Sequence, residues 1–171
     1  MKTLLLLRHA KSSWTDPRMD DHDRRLNDRG RMAAPVIGQY IADRGLLPDF
    51  VLCSTAKRAQ ETLERASGLW PRLPQVLFEK GIYLAAPHKL LDRIRQVSND
   101  VGRLLVIGHN PGFEDLSVEL AAGGDSAALR RMGEKFPTAG LAVIAFDISQ
   151  WSKIERARGN LLTFVSPRDL V

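Results

Sequence analysis

Cysteine is almost missing from this chain: Cys53 stands alone among 171 residues, so no intrachain disulfide can staple the fold. Aromatic residues are also sparse at 6% and are not interleaved with the arginines, which leaves no platform for stacking single-stranded bases. No apolar run approaches the roughly 18 residues of a membrane span. The N-terminal run Leu4–Leu7 ends at Arg8, short of the roughly 7–15 apolar residues of a secretion signal. No small-residue cleavage site follows, and this segment is expected to be a strand of a cytoplasmic protein. Blocks of one charge sign are lacking as well. Between Asp16 and Arg31 the signs alternate, with Asp20, Asp21 and Asp23, then Arg24 and Arg25, then Asp28, Arg29 and Arg31. Such mixing reads as a solvated face rather than a stripe tracking phosphates, so no nucleic-acid partner is expected.

What is present is an ordinary globular composition, 44% hydrophobic and 26% charged. The length suits one domain over residues 1–171, large enough to bury its own core. The net charge of +5 favours an anionic substrate. There is no internal repeat or long linker. Thr3–Leu7, Phe50–Cys53, Val76–Phe78, Leu104–Ile107, Leu141–Phe146 and Leu161–Val165 read as strands. Helices are expected over Arg31–Arg44, Ala56–Leu69 (capped by Ser54 or Thr55), His88–Val97 and Phe113–Ala122. Early strands alternating with helices indicate an α/β domain, a three-layer α/β/α sandwich on a mostly parallel sheet, with the last two strands forming a hairpin or antiparallel edge.

In such folds ligands collect beyond the carboxyl ends of the strands. Arg8-His9-Ala10-Lys11-Ser12 follows the first strand, Ser54-Thr55-Ala56-Lys57-Arg58 the second, Glu79 the third, and Gly108-His109-Asn110-Pro111-Gly112 the fourth. Two histidines, two arginines and a carboxylate therefore line one sheet edge. A neutral imidazole is available as a nucleophile near pH 7 and can carry a phosphoryl group covalently. Arginine forks match the oxygens of a transferring phosphoryl group, whose transfer depends mainly on positioning and charge. No metal is required for that charge balance.

The segments LLLLRHAKSSW, LNDRG, CSTAKRAQET and VIGHNPG, in that order, resemble the histidine phosphatase superfamily, whose hallmark is Arg-His directly after the first strand. The resemblance runs from Thr3 to at least Gly112, and its wording is most like the SixA-type phosphohistidine phosphatases. It implies a phosphoglycerate mutase-like fold, with His9 as nucleophile and Arg8, Arg58 and His109 gripping the phosphoryl group. The activity implied is that of a metal-independent phosphatase without cofactor, working through a phosphohistidine intermediate of its own and removing phosphate from phosphohistidine on a signalling protein. A monomer is expected, acting on a phosphorylated protein or a small phosphoester, with no membrane partner. The alternatives are a broad phosphomonoesterase and a non-catalytic module that binds phosphate or phosphopeptide.

Other residues stay open at this level. Ser12 either donates to a phosphate oxygen or belongs to a solvated turn. Glu79 is either the acid that protonates an alcohol leaving group or a surface carboxylate paired with Lys80. Lys11 supplies background charge, and Arg25 either pairs with neighbouring aspartates or lines the pocket entrance. Trp14 falls where related mutases carry a tryptophan, although Thr15 replaces their asparagine. Cys53 and Arg58 stand one residue too close for a cysteine-phosphatase loop, and no P-loop or dinucleotide fingerprint occurs. The four histidines lack zinc-site spacing. His22 and His88 are expected on the surface, and Trp70 and Trp151 in packing roles. The absence of a visible insertion predicts an open site.

Overall fold

In a computed structural model covering residues 1–171, seven strands form one sheet with helices on both faces. In chain order the elements are β1 (Lys2–Arg8), α1 (Asp28–Asp43), β2 (Phe50–Ser54), α2 (Lys57–Ala66), β3 (Gln75–Glu79), α3 (Pro87–Ile94), β4 (Arg103–Gly108), α4 (Gly112–Leu120), β5 (Ala121–Gly124), α5 (Ser126–Glu134), β6 (Leu141–Phe146) and β7 (Gly159–Val165). The sheet order is β3-β2-β4-β1-β6-β7-β5. β3, β2, β4 and β1 are parallel neighbours. β6 runs against both β1 and β7, and β5 is parallel to β7. The mostly parallel three-layer arrangement expected from the sequence is the one observed, with its antiparallel element in the interior of the sheet.

The continuous apolar run of β1 follows from burial on both faces, which abolishes the alternation of a half-exposed strand. Leu4 and Leu6 join one core with Leu90, Phe113, Phe136 and Trp151, beneath α3, α4 and α5. Leu5 and Leu7 join the other with Ile37, Ile41, Leu63 and Trp70, beneath α1 and α2. These two tryptophans serve packing, as expected, and their indole N–H groups are satisfied, Trp70 Nε1 donating to Gly38 O (3.0 Å) and Trp151 Nε1 to Val101 O (2.8 Å). Gly38 is where α1 crosses α2 closely. A Cβ built there would lie 1.8 Å from Ala66 O, so only hydrogen fits.

Local capping moves two helix starts from their expected positions. The Asn27 side chain accepts from Gly30 N (2.9 Å), starting α1 a turn before Arg31. Pro35 lies inside this helix without ending it. α2 begins after Ala56, which has no capping side chain, so neither Ser54 nor Thr55 is the cap. Ser54 Oγ instead accepts from Ala56 N (3.2 Å). α3 ends at Ile94 and α4 spans Gly112–Leu120, each close to expectation. β5, of sequence AAGG, and α5, capped by Asp125, were not anticipated. No helix is long and apolar enough to cross a membrane.

Candidate active site

Strand pairing creates the site. β1 and β4 pair in parallel with Arg8 opposite Gly108, so His9 and His109 leave adjacent strand ends together. Their ring centroids lie 5.1 Å apart. Arg58 comes from the first turn of α2, behind β2. Thr62, one turn further on, fixes it: its Oγ1 donates to Arg58 O (2.7 Å) and accepts from Ala10 N (3.0 Å). One hydroxyl thus ties the loop after β1 to the helix that carries the arginine.

The hydrogen bonds assign both histidine tautomers. His9 Nδ1 lies 2.8 Å from Ala10 O, which can only accept, so Nδ1 carries the proton. Nε2 is then the free lone pair, and it accepts from Arg58 Nε at 3.3 Å. His109 Nδ1 faces Arg58 Nη2 at 3.4 Å, and its Nε2 donates to Ser54 Oγ at 2.7 Å. Burial, reinforced by the nearby guanidinium of Arg58, pushes both imidazoles down to about 3. Both rings are therefore neutral across the physiological range. Arg8 is also depressed by burial but stays charged near pH 7. Its Nη1 donates to Phe136 O (3.0 Å), while its buried Nε has no partner and remains a donor for an oxyanion.

Arg58 is held by a residue that the sequence reading placed on a solvated face. Asp21 accepts from Arg58 Nη2 through its carboxylate (2.9 Å) and from Nη1 through its carbonyl (2.6 Å). The same carboxylate accepts from Tyr83 OH (2.5 Å) and Arg24 Nε (3.0 Å). Burial alone would raise its pKa, but the hydrogen bonds from Tyr83, Arg58 and Arg24 win and hold it below the ordinary carboxylate range. Arg24 is only 7% exposed. Its guanidinium stacks 3.4 Å over the Trp14 ring and its Nη1 donates to Ser12 Oγ (2.6 Å). The alternating charges of this segment are thus a network over the site. The sequence held one signal for it, the i,i+3 spacing of Asp21 and Arg24 ahead of LNDRG, masked by the alternation around it.

Together these residues line a cleft of about 290 Å³ containing both histidines, Arg8, Lys11, Arg24 and Arg58, with Asp21 its one carboxylate. Ser12 lines it too, with its hydroxyl oxygen already accepting from Arg24. Arg25 is exposed and does not line it. Glu79 is not brought into the cleft. Its carboxylate accepts twice from Arg93 Nε (2.7 and 2.8 Å), so its partner is Arg93 rather than Lys80. His22, expected on the surface, is half-buried, bonded to Thr55 Oγ1 (2.8 Å) and edge-on to Tyr83; His88 is exposed. Cys53 lies buried within β2, one residue before its end, and burial pushes its thiol up. No group of three His, Cys, Asp or Glu side chains gathers to hold a metal.

A cationic cleft around a neutral imidazole with an available Nε2 lone pair fits anionic phosphoryl chemistry, and known proteins point the same way. Residues 4–79 match the model of the histidine phosphatase superfamily, branch 1. The chain is 39% identical over 166 residues to the uncharacterized protein Rv1276c of Mycobacterium tuberculosis, covering 95% of this chain and all of that one. A candidate SixA phosphohistidine phosphatase from Nakamurella multipartitia superimposes with a TM-score of 0.82 at 30% identity, over 97% of this chain and 96% of that one. One from Agrobacterium tumefaciens gives 0.80 at 30%, over 97% and 98%. With the phosphoglycerate mutase-like sheet and an Arg-His pair at the end of its first strand, the chain belongs to the histidine phosphatase superfamily.

Proposed function

We propose that this protein is a phosphatase that removes the phosphoryl group from phosphohistidine on a protein, with His9 Nε2 as nucleophile. The observation that carries the reading is the state of Asp21, the one carboxylate in the cleft. Three donors hold it ionised, so it has no proton to give. An alkoxide leaving group needs such a proton. A phosphorylated imidazole protonated on its second nitrogen leaves as neutral imidazole without one. The names of the two candidate SixA neighbours support the same substrate.

In the first step the Nε2 lone pair of His9 bonds to phosphorus as the substrate's N–P bond breaks and its electron pair returns to the leaving ring. Arg8 and Arg58 meet the oxygens, where charge-assisted donors in a partly dry site stabilise the spread negative charge. The incoming anion offsets the desolvation that keeps His109 neutral, drawing a proton onto Nδ1 and making it a third donor. In the second step water bonds to phosphorus, the His9 Nε2–P bond breaks with its electron pair returning to Nε2, and inorganic phosphate retains both protons of the water. The Nδ1–H bond to Ala10 O keeps the ring in one orientation through both steps.

The test is release of phosphate from a phosphohistidine-bearing protein and from p-nitrophenyl phosphate, by wild type and His9→Ala, in EDTA. Fast His9-dependent release from the protein with slow ester turnover is expected. Fast ester turnover alone would replace this reading with a general phosphomonoesterase, and loss of activity in EDTA would refute metal independence.

A further inference from the structure

A second cleft, of about 390 Å³, adjoins the first and shares Arg8, Lys11 and Thr138 with it. Arg29, Lys135 and Arg168 complete its cations, and no carboxylate lines it. The five come from separate places: the end of β1 and its following loop, the first turn of α1, the residue after α5, and the C-terminal turn Pro167–Leu170. The ion pairs of the molecule all lie elsewhere and engage none of them. Asp169, beside Arg168 in sequence, is turned onto Ser166, accepting from its N (2.8 Å) and Oγ (3.3 Å). Five like charges brought together with no carboxylate lining the cleft raise the local potential and repel one another. Such an arrangement is relieved by an anion.

We infer that this cleft docks an acidic segment of the phosphorylated protein while its phosphohistidine occupies the neighbouring catalytic cleft. The inference rests on the reading under Proposed function and names the surface chemistry of that substrate. A protein segment fits better than a compact polyanion for a reason visible in the side chains. Arg58, built for one phosphoryl group, is 2% exposed and locked by hydrogen bonds. Lys11, Arg29, Lys135 and Arg168 are exposed and spread along an open trough. That suits several carboxylates at adaptable distances and steers encounter from solution.

Four peptides test it: phosphohistidine and phosphoserine versions of one sequence, each flanked by acidic or by neutral residues. Wild type should prefer the acidic phosphohistidine peptide in kcat/KM by about eightfold at low salt, from roughly twofold for each of three exposed pairs. The preference should shrink as salt rises. The triple variant Arg29→Gln/Lys135→Gln/Arg168→Gln should abolish the preference and leave turnover of p-nitrophenyl phosphate within about twofold. An equal preference in wild type and variant overturns the inference. So does a variant that loses inhibition by a sugar bisphosphate but keeps its preference between peptides, since the cleft would then belong to a small polyanion. If only the phosphoserine pair is turned over, the phosphohistidine reading fails by itself, and the acidic preference is scored on that pair with the same criteria.

Discussion

Lowering the pH from 7.5 to 5.5 should weaken this fold through two residues of its own candidate active site. His9 and His109 are held near 3 by burial, whereas an unfolded histidine titrates near 6.5. Because the folded value lies below the unfolded one, the unfolded chain binds more protons throughout this window, and stability falls as pH falls. Each histidine then costs about 1.4 kcal/mol at pH 5.5, one unit below its unfolded pKa. The pair together costs up to about 2.7 kcal/mol, equivalent to a fall in Tm of roughly 5–11 °C for a domain of this size. Asp21, depressed below the ordinary carboxylate range, contributes only at lower pH, as an unfolded aspartate titrates near 3.9. The assay is urea unfolding at both pH values in phosphate-free buffer, since an anion bound to the native state would mask the effect. The double variant His9→Asn/His109→Asn should lose far less stability between the two pH values than wild type. A wild-type loss below about 1 kcal/mol, or an equal loss in both proteins, would refute the assignment of buried neutral imidazoles.

Three further outcomes follow from named contacts. Asp21→Asn removes the charge that orients Arg58 and sets an amide donor against a guanidinium or a phenol. With Asp21 40% exposed, the loss in kcat/KM is discounted to about 1–2 kcal/mol, roughly 5–30-fold, read by steady-state kinetics. Glu79→Gln should leave phosphohistidine turnover within about twofold and cost under about 1 kcal/mol in denaturant unfolding, because it loosens only a partly exposed pair with Arg93. Gly38→Ala drives a methyl group onto Ala66 O. The helix-propensity gain of about 1 kcal/mol offsets only part of the overpacking, so thermal unfolding should show a net loss of about 2 kcal/mol.

The parts of the fold legible in the sequence are those whose signal is local. Leu4–Leu7 and Leu104–Ile107 declare buried strands by being apolar on both faces, and His9 and His109 are placed by following them directly. β5 is written as AAGG, with neither branched nor aromatic residues, and it exists only through pairing with β7. α5 carries a local signal in its cap, where Asp125 accepts from Ala127 N and Ala128 N, but it follows two glycines that read as a stop. The partner of Glu79 lies 14 residues away. The contacts of Asp21 to Arg58 and Tyr83 span 37 and 62 residues. Neither could be inferred from spacing, since charge alternation describes equally well a solvated turn and a segment folded over a cleft.

The two halves of the site differ in how they are anchored to the sheet. β1 lies between β4 and β6, with Arg8 N bonded to Gly140 O and His9 N to Gly108 O. The segment carrying Asp21 and Arg24 is tied to the rest of the fold by a single bridge, Ser12 to Leu26, two flanking backbone bonds and side-chain bonds, including those of Arg58 to Asp21 O and of Leu26 N to Glu61. Amide exchange should therefore find the backbone of His9 among the last groups to open and the covering segment among the first. Under mild denaturant the enzyme would go silent by partial unfastening while its sheet, and the histidine mounted on it, stayed intact.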